Sequence, residues 1–375
     1  MSTLTIVVTA GPHDRVNCPV AVALPEEADN ARLTGPDGAD IPCQVCGDSL
    51  HFILPRLAAG QEAAFTLALG GDEPDPAVTV REVTGDKVEI TVAGRPFTTY
   101  NHGADLVRPY LYPFIGPAGK QMTRNWPIVT DVEGESNDHP HHKSIYVAHG
   151  AVNGTDNWSE GPNHGFTRHR AFALLESGPV FGRIVADNDW LTKEGAKILE
   201  QRTEMTFYNY PGGERMIDFL ITFHATEGDV LFGDTKEGGI LSVRVATSMD
   251  EKNGGRIENS FGGVTERENW GKRAEWCDYS GPVDGERLGF AVFDHPDSFR
   301  HPTYWHVRGY GLFTANPFGL SDFYGDESVS GDHTLPAGET LRFHYRLFAH
   351  RGDATAADVA ARYLDFIFPP TAETK

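Results

Sequence analysis

Cysteine is scarce in this chain, with four in 375 residues, too few for a scaffold stapled by disulfides. No apolar run approaches the roughly 18 residues that a membrane-spanning helix needs, so no membrane partner is expected. Basic residues are outnumbered, 32 Lys and Arg against 53 Asp and Glu, which leaves a formal net charge of −21. A field of that sign repels nucleic acid and anionic lipid, so nucleic acid is not expected as a partner either. The nucleophilic serine elbow, the P-loop and the dinucleotide-binding glycine pattern are all missing from any strand–turn–helix setting. The start, Met1-Ser2-Thr3-Leu4-Thr5-Ile6-Val7-Val8-Thr9, has neither a basic segment nor a long apolar one. It reads as a strand and not as a secretory signal, and a cytoplasmic location with reduced thiols is the expectation. Cys43 and Cys46 have the spacing of half a zinc site or of a redox pair. No second pair exists, and the alternation around them predicts two thiols in a strand or hairpin.

What the chain does have is turn residues and strands. Its 41 Gly and 24 Pro punctuate short runs rich in β-branched and aromatic residues. Met216–Phe223 and Leu341–Phe348 alternate with period 2 over eight residues, which predicts long antiparallel strands with one buried face. One helix is predicted, over the alanine-rich stretch Ala354–Phe366, before Pro369-Pro370. The polar stretch from Gly70 to Pro76 reads as a connector. It divides a small β unit (1–76) from a large all-β unit (77–375), and a two-sheet antiparallel sandwich is the economical architecture for the latter.

Three constellations carry chemistry. Seven of the sixteen histidines fall between His102 and His169, and the densest run is Asp138-His139-Pro140-His141-His142. Histidine titrates nearest neutrality and is the commonest nitrogen ligand for metals. In an extended segment His139 and His141 share a face and His142 points away, while Pro140 favours a loop or sheet edge. With His149 or His102 alongside, the run can bind a metal, act as acid and base, or hydrogen-bond hydroxyls. Second, Gly233-Asp234-Thr235-Lys236-Glu237-Gly238-Gly239 interrupts strand pattern with charge and glycine. Glu237 is the candidate base, with Lys236 or Arg244 near enough to tune it. Third, Tyr304, His306 and Arg308 share one strand face opposite Trp305 and Val307, a combination that suits a sugar or carboxylate pocket better than a core. Asn316-Pro317-Phe318-Gly319 turns nearby.

These blocks, in this order, resemble the PmoA-like family of soluble bacterial proteins. The resemblance rests on Arg108-Pro109-Tyr110 with Pro113 and Gly119, on the Asp138–His142 run with His149-Gly150 and Asn153-Gly154, on Asp234–Gly238, and on Trp305–Arg308 with Asn316–Gly319. It covers about residues 80–350. Tyr112 departs from the histidine expected after Arg-Pro-Tyr. The resemblance implies a β-supersandwich similar to galactose mutarotase, with a cleft on one concave sheet whose His and Glu or Asp residues move protons on sugars.

The expectation is therefore a large antiparallel supersandwich, with a small N-terminal β unit and a C-terminal helix, belonging to carbohydrate metabolism. It would act on a sugar by hydrolysis, elimination or epimerisation. Glu237, His139, His141 and His306 are the candidate acid–base groups. Arg108, His102, His142, His149, Trp158, Lys236, Tyr304, Arg308 and Asn316 are the candidate sugar contacts. No cofactor and no essential metal are expected, since the run lacks a convergent Asp, Glu or Cys set. The alternatives are a metal-dependent, oxygenase-like enzyme using the His139–His142 cluster and a non-catalytic sugar-binding protein.

Overall fold

Alternating side chains on strands of this length bury one face only, so the sheets must cover one another. The computed structural model describes residues 3–375 and is built almost wholly of antiparallel sheet. In the N-terminal part a five-stranded sheet faces a three-stranded one. Ile6, Val8, Val20, Val22, Leu50, Phe52, Phe65 and Leu67 fill the space between them. Cys43 and Cys46 lie on one strand there, all four cysteines are unpaired, and burial pushes both of these thiols up to about 11.

The remainder is one large sandwich. Its nine-stranded sheet runs in the order Lys272–Arg273, Tyr304–Val307, Leu312–Ala315, Gly238–Arg244, Ile145–His149, Tyr110–Phe114, Arg95–Asn101, Lys87–Val92, Val78–Thr84. The facing eight-stranded sheet is centred on Lys197–Tyr208, Arg215–His224, Thr340–Arg351 and Glu286–Asp294. The two long alternating runs pair directly, Phe219 with Tyr345 and Ile221 with Phe343. Their apolar faces join Ile145, Leu241, Val243, Trp305 and Phe313 of the opposite sheet in a single core. Leu69 belongs to the small core and Val78 to the large one.

The predicted helix is shorter at its start than expected, spanning Val359–Ile367. Asp353 accepts the Ala356 N–H and Asp358 adopts φ 51°, so turns occupy 354–358. Its apolar face covers the outside of the eight-stranded sheet through Phe293, Phe348, Tyr363 and Phe366. The chain then returns to the small unit, where Thr371–Thr374 pairs with Thr3–Thr9. Asp365 on the helix meets His13, Arg15 and Arg362, each within 3.2 Å.

Candidate functional site

The nine-stranded sheet has a second face, turned away from the core. Alternation sends Tyr110, Tyr146, Ala148 and Leu312 to it, opposite Leu111, Ile145 and Phe313. The same rule sends Ser242 and Arg244 outward between Leu241, Val243 and Val245, and sets His306 and Arg308 opposite Trp305 and Val307. The loop that leads into Ile145–His149 carries the histidine run, and the Arg244 N–H donates to the Ser144 carbonyl at 2.7 Å. Arg244 is thereby fixed beside that run.

The core of the site is a carboxylate held by two arginines. Arg124 Nη1 donates to Asp138 Oδ1 at 2.5 Å and Arg244 Nη2 to the same oxygen at 3.1 Å. Both arginine side chains are buried, whereas that of Asp138 is 44% exposed. Burial alone would raise the Asp138 carboxyl, but Arg244 and Arg124 outweigh it and the pKa is lowered, so the group is an anion at neutral pH. Its Oδ2 lies 3.2 Å from His139 Nδ1. His139 adopts φ 41°, a region costly to a side chain with a Cβ, and its carbonyl accepts from Arg124 Nη2 at 3.0 Å.

Rings build outward from there. His139 stacks on Tyr310 (5.0 Å, 8°) and on His142 (4.9 Å, 7°), and His141 meets His142 edge-on at 4.3 Å. Trp158 lies buried beneath His141 and His142. Arg244 Nη1 donates to His142 Nδ1 at 3.1 Å, which puts the His142 proton on Nε2. Burial, then the Arg108 charge, pushes His141 down to about 4, and burial holds His142 well below its usual range. Both are neutral imidazoles at pH 7. Tyr310 sits where several charges meet. Burial raises its phenol, Arg308 and Arg244 oppose that, and Glu237 and Asp138 add to it.

The sequence-predicted residues divide into three groups. His139, His141 and His142 are together, with the candidate contact Trp158 buried as their floor. Arg308 is beside them and half-exposed, its Nε 3.2 Å from Glu266 and its guanidinium 5.7 Å from the Tyr310 ring centre. Lys236 and Glu237 form an exposed pair at 3.2 Å. Glu237 precedes the strand whose other end is Arg244, roughly 20 Å of extended backbone. Glu237 and Arg244 thus flank opposite ends of one strand, and it is Lys236, not Arg244, that pairs with Glu237.

The third group is engaged in packing and hydrogen bonds within the protein and lies apart from the exposed histidine face. Arg108 is buried, and both Nη atoms donate to protein oxygens: the His141, Asn157 and Trp158 carbonyls and Glu160. It ties the histidine loop to 157–160 and has no Nη free to clamp a sugar. His149 is buried against Phe318 with Nε2 2.9 Å from the Gly233 carbonyl, and Gly150 donates to the Glu237 carbonyl at 2.8 Å. Asn316 is buried and binds the Thr235 and Lys236 carbonyls. His306 is buried beside Trp270 and Phe323 with a backbone contact to Lys236, and burial pushes it down to about 3. Together His149, Asn316 and His306 pin the Asp234–Glu237 loop. Tyr304 is buried, its hydroxyl on Tyr324 at 3.0 Å. His102 joins a different group, with Tyr100, His169 and Phe172. Among the described residues no three His, Cys, Asp or Glu side chains converge as a metal site.

Sequence reading missed Arg124, Tyr310 and Glu266. Their only signal was proximity to quoted motifs, since Tyr310 follows Arg308 by two residues. Asp138 was noticed only as the first residue of the histidine run.

No curated protein matches the chain. Among solved structures, it is similar to a glycosyl hydrolase family 38 protein from Enterococcus faecalis (10% identity, TM-score 0.48, all of this chain and 47% of that one). It is also similar to an α-galactosidase from Lactobacillus brevis (12%, 0.36, 79% and 42%). A third is galactose 1-epimerase from Lactobacillus acidophilus NCFM (9%, 0.32, 74% and 100%). The chain spans about half the length of the first two. Residues 87–364 match the model of DUF6807, and so the chain belongs to DUF6807, a family of unknown function.

Proposed function

We propose that the outer face of the nine-stranded sheet binds a sugar and moves protons on it. The observation that carries this reading is the contact between Asp138 Oδ2 and His139 Nδ1 at 3.2 Å. In this reading the carboxylate held by Arg124 and Arg244 orients the half-exposed imidazole, whose Nε2 accepts a proton from a hydroxyl or C–H and returns it. His141, neutral at pH 7, takes a second hydroxyl as hydrogen-bond partner. Arg308 supplies fixed donors to ring or carboxylate oxygens. Glu237, whose charge acts on the Tyr310 phenol, is the candidate second carboxylate. Aromatic rings among neutral imidazoles and arginines suit a ligand with apolar C–H faces and many hydroxyls. Hydrolysis, elimination and epimerisation all need this proton transfer.

The test is turnover, followed by NMR, of a panel of free sugars, sugar acids and glycosides by the wild type and by His139→Gln. The expected result is conversion of at least one substrate by the wild type and a loss of about 100- to 10,000-fold in the variant, the usual contribution of a positioned acid–base group. Full turnover by His139→Gln, or a wild type that neither converts nor binds any member of the panel, sinks the reading.

A further inference from the structure

The rim of the large sandwich carries a separate concavity that shares no residue with the histidine face. A cavity of about 650 Å³ opens where Arg95–Asn101 of the nine-stranded sheet begins and where, in the opposite sheet, Arg215–His224 begins and Thr340–Arg351 ends. Arg95, Arg215 and Arg351 line it, with Pro96, Ile115 and residues of two glycine-bearing turns. No Asp or Glu is among the lining residues.

Three guanidiniums around one hollow stand out in a chain of net charge −21. Elsewhere arginines of this chain meet carboxylates two-pronged, as Arg202 does with Asp187 and Arg346 with Asp218. Here only Arg351 has a partner, Glu286 at 3.2 Å. Among the described residues neither Arg95 nor Arg215 makes an ion pair. Arg215 is 7% exposed, with its guanidinium 5.3 Å from the centre of the Phe97 ring. Its Nη1 donates to the Gly213 and Glu214 carbonyls at 3.3 Å, and its buried Nε has no partner. Burial, then the neighbouring Arg95 charge, lowers its pKa. A buried cation without a counter-charge is unfavourable, and an oxyanion entering the hollow supplies both the charge and the missing acceptor.

We propose that this rim cavity binds a small oxyanion ligand, a phosphate ester or a polycarboxylate, on Arg95, Arg215 and Arg351. The volume lies in the range of small-molecule sites and exceeds what a bare phosphate fills. The site is independent of the acid–base face, so either can fail without the other.

Calorimetric titration of the full chain with inorganic phosphate, pyrophosphate and citrate tests this. Anion binding at Arg308 of the histidine face would persist in Arg95→Ala, so that variant separates the two sites. At least one is expected to bind saturably, one per chain, and more weakly as salt rises. Pyrophosphate over citrate assigns a phosphate ester, and the reverse a polycarboxylate. Arg95→Ala, at an exposed position, and Arg215→Lys, which keeps the charge but loses the fork, should each weaken binding by about 10- to 150-fold. Thermal unfolding of Arg95→Ala should match that of the wild type. Absence of saturable binding by all three anions, or equal affinity in wild type and Arg95→Ala, overturns the proposal.

Discussion

The imidazole of His139 lies flat against the phenol ring of Tyr310, centroids 5.0 Å apart and planes within 8°. The residue whose Nδ1 faces Asp138 is thus also held by an aromatic contact from the turn after Tyr304–Val307. The left-handed backbone at His139, φ 41°, stores on the order of 1–3 kcal/mol that its neighbours must offset. Tyr310 and the Arg124 hydrogen bond to the His139 carbonyl are the groups that do so.

Tyr310→Ala should therefore loosen His139 without unfolding the sheet. Loss of the stacked pair should cost about 0.5–1.5 kcal/mol beyond the area term. Urea denaturation reads the stability, and the imidazole signals of His139 in an NMR spectrum read the ring. Unchanged His139 signals would show that Tyr310 does not set its position.

The helix and the small N-terminal unit are joined by charge. Asp365 lies within 3.2 Å of His13, Arg15 and Arg362, and Arg15, Arg362 and Asp365 are all buried. Asp365→Asn removes the anion and leaves two arginines buried together. The expected cost is about 3–5 kcal/mol, as for other buried pairs that lose one partner. Chemical denaturation measures it, and a loss below roughly 1 kcal/mol would show that solvent reaches the network.

Stability should rise with pH between about 4 and about 6.5. Burial pushes His149 and His344 down to about 4 and His306 to about 3. Within that window the unfolded chain binds protons that the folded chain does not, so each fall in pH favours unfolding. Below about 4 the contributions of His149 and His344 are fully lost, and above about 6.5 all are fully present. Each group contributes on the order of 3–5 kcal/mol across its full window. Urea midpoints at pH 4.5, 5.5 and 7 measure the slope, and His149→Phe should flatten it. A midpoint independent of pH over this range would contradict the burial argument.

Much of the fold was legible because it is written in short-range pattern. Period-2 alternation in Met216–Phe223 and Leu341–Phe348 needs only local geometry, and these strands pair with each other. Alternation also placed His306 and Arg308 opposite Trp305 and Val307. It could not say that His306 would be covered by the Lys236 loop, Trp270 and Phe323, because burial depends on what arrives from elsewhere. The histidine run was conspicuous by composition, yet His102 and His149 separated from it once strand order was fixed. Conserving the face of a strand leaves its neighbours open.

By itself, the sequence determined an all-β chain, the strands with one apolar face, the connector after Leu69, and a histidine run that Pro140 keeps out of regular sheet. Periodicity and turn chemistry act over a few residues and need no partner. Only the tertiary structure decided that Arg124 and Arg244 would meet on Asp138, that Tyr310 would stack on His139, and that Arg108 and Asn316 would hold loops. These contacts join segments far apart in the chain. They follow from which strands lie side by side in the nine-stranded sheet, which is set by the burial of the whole core and not by any local run of residues.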